Sequence, residues 1–171
     1  MPELKKVFYS LPIDKDIEVI IDSAKQIDQL DEIKYSFELF EPYYQATLFK
    51  NDYFKIKPES GNIEIFISDY GLAGQDIDSL QVIYVSLRFG DELTEEIKNE
   101  YHRLLRIFES RTGRSEKYEL FANSGKTSYG QNFYINNKDE LPFMAIEVGL
   151  GDCTSDEKSI TIYYYKKLST T

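Results

Sequence analysis

The chain has 171 residues, with 30 acidic and 20 basic side chains, one histidine, one cysteine and no tryptophan. A net charge of −10 and a pI near 4.7 set it against phosphate backbones and anionic lipid, which argues against nucleic-acid and membrane-surface partners. A 42% hydrophobic and 15% aromatic content argues against disorder and fits a single globular domain over 1–171.

No apolar run approaches the ~18–20 residues that span a bilayer. The opening Met1-Pro2-Glu3-Leu4-Lys5-Lys6 leads into no unbroken apolar stretch of the signal-peptide kind. Cys153 has no second cysteine to pair with, so a reducing, cytoplasmic setting is expected.

In chain order, the spacing of Ile13, Ile17, Ile20, Ala24, Ile27 and Leu30 predicts an amphipathic helix over 13–33, with Asp14 and Asp16 at its dipole-positive start. Residues 34–42 fit either a continuation of that helix or the start of a strand, closed by Pro42. Strands are expected at 43–49, 53–57, 62–68 and 80–89; Ile63, Ile65 and Ile67 carry the clearest alternation.

A second helix is expected over 92–112. Leu93, Ile97, Tyr101, Leu104, Leu105 and Phe108 form its stripe, acids lead it and arginines trail it, and Gly113 is placed to take a left-handed C-terminal position. Further strands are expected at 117–123, 130–136, 142–150 and 159–167. Connections this short leave no room for crossover helices. The expected fold is therefore α+β: a largely antiparallel, curved sheet with two main helices on one face and a helix-plus-four-strands pseudo-repeat. Phe66, Tyr84, Phe121, Tyr134, Tyr163 and Tyr165 are candidates for its other face, as a binding surface or as cross-strand aromatic pairs.

Catalytic motifs are weak. Gly125-Lys126-Thr127 resembles the end of a phosphate loop, but position 120 is Leu and a strand, not a helix, follows. Gly149-Leu150-Gly151-Asp152 likewise lacks the helix of a dinucleotide site. His102 lies on the second helix with no carboxylate among its helical neighbours, and Cys153 lies among acids that disfavour its thiolate. One His and one Cys cannot make a typical zinc site. The acids of 69–79 and of 152–157 do not match the twelve-residue calcium loop. No cofactor or metal is expected.

Acid is concentrated early. Residues 1–90 hold 16 acids against 9 bases, and 59–80 hold Glu59, Glu64, Asp69, Asp76 and Asp78 with no base. Such a face either keeps a protein soluble or steers a basic partner. With no catalytic constellation, a non-enzymatic, immunity-type inhibitor is expected, neutralising a basic toxin or effector by covering its active site. Its contact residues would include Glu64, Asp69, Tyr70, Asp76 and Asp78. The alternatives are a secretion chaperone, recognised by a stable dimer, and a small-molecule-binding module or carboxylate enzyme. The last should show a concave pocket holding a carboxyl with a raised pKa.

Overall fold

The structure, a computed structural model, describes residues 1–27, 30–34, 43–48, 52–68, 80–152 and 154–168. Among the described residues three helices and eight strands follow in the order α1 (Pro2–Val7), α2 (Ile17–Ala24), β1 (Leu30–Lys34), β2 (Tyr43–Leu48), β3 (Ser60–Ser68), β4 (Leu80–Arg88), α3 (Glu95–Glu109), β5 (Arg114–Ala122), β6 (Gly125–Tyr134), β7 (Met144–Gly149) and β8 (Ser159–Lys167). The fold is α+β, with an open sheet of strand order β1-β2-β3-β4-β8-β7-β6-β5. The pairs β1–β2, β2–β3, β5–β6 and β6–β7 are antiparallel, as the short connections require. The chain forms two compact units, one of 1–53, 62–85 and 164–171, the other of 54–61 and 86–163.

In the first unit the expected helix over 13–33 is shortened to Ile17–Ala24. Gln26 and Ile27 donate their N–H groups three residues back, to Ser23 and Ala24, so the last turn tightens and stops. Residues 30–33, expected to end the helix, instead belong to β1, whose backbone pairs with β2. A tertiary partner outweighs the helical periodicity there. Of the ambiguous 34–42, Lys34 closes β1 and 35–42 lie outside the described residues. Helix α1 was not legible in advance; Pro2 sits at its start, and Leu4 and Val7 are buried. Phe66 and Tyr84 meet edge to face with centroids 6.2 Å apart, the aromatic pairing considered for them.

In the second unit, α3 carries the expected stripe: Ile97, Tyr101, Leu104, Leu105 and Phe108 are buried. The helix begins at Glu95, after Thr94 Oγ1 accepts the Ile97 N–H at 3.3 Å. Gly113 does not take the left-handed position. It is needed because a Cβ there would lie 2.6 Å from the Ile135 carbonyl. Residues 53–57, expected as a strand, form turns instead. The Lys55 N–H is taken by the buried Glu100 carboxylate of α3 at 2.9 Å, not by a strand ladder. Phe108 packs on Phe133 and Tyr101 stands edge-on to Tyr129, so α3 covers one face of β6.

Candidate functional site: a polar cleft around Glu147

Strand alternation puts Met144, Ile146 and Val148 on one side of β7 and Glu147, half-buried, on the other. Register aligns Tyr118 of β5 with Gly130 of β6, and Gly130 with Glu147 of β7. A Cβ at position 130 would lie 2.7 Å from Cζ and Oη of Tyr118. Glycine thus lets the Tyr118 ring lie across β6, where its hydroxyl donates to Glu147 Oε2 at 2.7 Å. Ser128 also hydrogen-bonds this carboxylate. Burial nevertheless holds the Glu147 carboxyl above its ordinary value of 4.5, and the Tyr118 and Ser128 hydroxyls only partly offset that.

Glu147 lines a cleft of about 360 Å³ together with Arg88, Leu120, Asp152, Glu157 and Ser159. Gly149 opens it toward Ser159, whose Oγ would be 2.3 Å from a Cβ there. The loop after β7 is held by its own polar groups. Gly151 takes a left-handed φ of 95°, and Asp152 Oδ1 accepts from the Thr154 hydroxyl at 2.6 Å and from the Thr154 and Ser155 N–H groups at 2.7 and 3.0 Å. Those bonds, the Thr154 hydroxyl foremost, keep Asp152 below its usual carboxylate range. Arg88 Nε stands 3.9 Å from Glu157, and Lys158 Nζ donates to the Leu150 and Asp156 carbonyls. Glu147 itself has hydroxyl donors and no ion pair among the described residues. The cleft can therefore accept a cation, or deliver a proton from a carboxyl that ionises late.

A second cavity of about 330 Å³ lies between α3 and the β5–β6 hairpin, lined by Tyr101, His102, Arg106, Lys117, Tyr129 and Gln131 among others. Burial pushes the Tyr101 phenol up, with nearby Tyr129, Glu109 and Glu147 adding to the shift. Gln131 Nε2 donates to Glu109 Oε1 at 2.6 Å and Ser115 Oγ at 2.8 Å, which ties the strands to the helix.

Of the sequence-predicted contact residues, Glu64 is on β3 in the first unit. It is half-buried, and its Oε1 accepts from Gln45 at 2.8 Å and Asn62 at 2.9 Å. Asp69, Tyr70, Asp76 and Asp78 lie outside the described residues, as does Cys153. His102 is exposed on α3 with its ring 5.5 Å from that of Tyr101. Gly125-Lys126-Thr127 forms the first residues of β6 itself. Tyr134, a candidate for the exposed aromatic face, is buried: the Arg114 guanidinium lies 4.0 Å from its ring centroid and its hydroxyl donates to Glu116. Phe121 is exposed, at 66%, beside Leu120 at 50%.

Among the described residues no three His, Cys, Asp or Glu side chains are grouped to hold a metal ion, and no helix is long and apolar enough to cross a membrane. Period-two alternation along 144–148 is a sequence signal that sets Glu147 opposite its apolar neighbours. Its partners Tyr118 and Gly130 could not be found that way, because they meet only through strand register. No protein-family model, curated protein or solved structure matches the chain.

Proposed function

We propose that this chain is an acidic protein-binding domain that engages a basic protein, in the manner of an intracellular inhibitor occluding a toxin or effector. The observation that carries the reading is the Glu147 carboxylate, unpaired with any cation among the described residues and lining a cleft with Asp152 and Glu157. A lysine or arginine side chain of the partner supplies the missing charge. Leu120, on the same cleft, and Phe121 beside it supply the apolar rim that protein contacts use. The net charge of −10 steers the encounter. The acids Glu64, Asp69, Asp76 and Asp78, with Tyr70, stay candidates for contact with the same basic partner.

The test is capture from the source cell on immobilised protein, eluted in a salt gradient, comparing wild type with Glu147→Gln and Leu120→Ser/Phe121→Ser. A stoichiometric basic protein, released by salt and lost with both variants, supports the reading. A partner retained equally by both variants moves the contact elsewhere, and a salt-resistant, partly unfolded secreted protein favours a chaperone.

A second reading, a small-ligand site or carboxylate enzyme, is favoured by the raised Glu147 carboxyl in an open cleft. A thermal-shift screen of metabolites decides it: a ligand whose stabilisation disappears in Glu147→Gln supports it, and no stabilising ligand counts against it.

A further inference from the structure

The outer edge of β5 is the place where backbone hydrogen-bonding groups and exposed side chains occur together. β5 ends the strand order, and Ser115, Glu116, Lys117, Glu119, Leu120 and Phe121 on it are all exposed. The Leu150 N–H donates to the Thr127 carbonyl at 2.8 Å, which sets the phase of the ladder. Odd-numbered residues of β6 turn their backbone groups to β7, and even-numbered ones turn theirs to β5. Along β5 the even residues Glu116 and Tyr118 therefore bond β6. The odd residues Ser115, Lys117 and Glu119 turn N–H and C=O away from β6, to an edge that no strand covers among the described residues. Such an edge accepts another strand.

The edge is self-complementary. We infer that β5 pairs antiparallel with β5 of a second copy, about a two-fold axis through Tyr118, to make a homodimer with a sheet continuous across both chains. In this register Lys117 of each copy faces Glu119 of the other, twice by symmetry, at a hydrogen-bonded pair where Cα atoms stand ~5.5 Å apart. Glu116 faces Leu120, and Ser115 faces Phe121. The neighbouring registers that keep the odd residues bonded put Lys117 against Lys117 or Glu119 against Glu119, and like charges directly opposite repel. The charge pattern of Glu116-Lys117-Tyr118-Glu119 thus selects one register, the one that uses all nine residues of the strand. Leu120 and Phe121 lie in this seam as well as on the rim of the Glu147 cleft, so the dimer and a partner docked on that rim compete for them, and a stable dimer also meets the criterion of the chaperone alternative.

Light scattering on the full chain over a concentration series tests it. Wild type is expected to dimerise reversibly. Glu119 Oε1 already holds Lys126 of its own chain at 2.5 Å, so Glu119→Lys is made together with Lys126→Glu. That variant and Lys117→Glu each replace two attractive pairs with repulsive ones and should weaken the dimer about tenfold, while the double swap in the Lys126→Glu background restores it. Lys117→Pro removes an N–H that points outward and should give a folded monomer, checked by circular dichroism. Wild type that stays monomeric throughout overturns the inference and leaves the edge to a strand of another protein. A dimer indifferent to these variants, or one the double swap fails to restore, overturns it as well.

Discussion

Tyr118 reaches Glu147 across a strand that lies between them. The phenol of β5 passes over Gly130 of β6 and donates to the carboxylate of β7 at 2.7 Å. Three strands thereby share one polar contact on the face that α3 leaves open. The contact depends on a missing side chain as much as on the two groups that meet.

Gly130→Ala should cost about 2 kcal/mol of stability, because the new methyl would sit 2.6 Å from the Ile146 carbonyl and 2.7 Å from the Tyr118 ring. Denaturant unfolding measures the loss. In the same variant the Tyr118–Glu147 bond should break, read as a further upward shift of the Glu147 titration by carboxyl-carbon NMR.

The raised Glu147 carboxyl makes a signed prediction about pH. Its folded value lies above the unfolded one, so the folded state binds the proton more tightly than the unfolded chain does. This group's contribution then falls as pH rises from the ordinary glutamate value through the folded one, and the penalty is complete only above the folded value. Glu147→Gln should therefore raise the melting temperature relative to wild type at neutral pH, and by less in acid. Tyr118→Phe should act oppositely, since it removes a hydroxyl that favours the ionised form.

Glu100 is 3% exposed and accepts from Arg103 Nε and Nη2 at 2.8 and 2.7 Å as well as from the Lys55 N–H. Glu100→Gln removes the charge opposite Arg103 and weakens the tie to the 53–57 turns. The expected cost is about 3 kcal/mol, at the low end for a broken buried pair because a quarter of the Arg103 side chain is exposed. Chemical denaturation checks the magnitude, and earlier amide exchange at Lys55 checks the mechanism.

Thr94→Ala should cost about 1 kcal/mol, since the Ile97 N–H loses its acceptor at the start of α3. Phe121→Ser, at an exposed site, should by contrast leave the unfolding midpoint nearly unchanged. The pair of measurements separates a residue that holds the fold from one exposed on its surface.

Local chemistry carried much of the fold. The stripe of α3, the alternation of Ile63 and Ile65 on β3 and of Ile146 and Val148 on β7, and the Gly-Asp turn after β7 each arise from near neighbours. Periodicity therefore finds them. The acidity that motivates a basic partner is equally a property of composition. Elsewhere a distant partner overruled the local pattern. The apolar spacing that would run α2 on to residue 33 yields to β1, because Leu30–Lys34 satisfies its backbone against β2. Residues 53–57 give up strand structure where the Glu100 carboxylate takes the Lys55 N–H. The cleft belongs to the same category. The position of Glu147 opposite the core follows from alternation along β7. Its hydroxyl partners, Tyr118 and Ser128, are brought near by register across β6, and its raised proton affinity comes from burial, which those hydroxyls only partly offset. Register is set by the packing of whole strands, so a sequence whose signals are local could place the carboxylate on its face but not its neighbours.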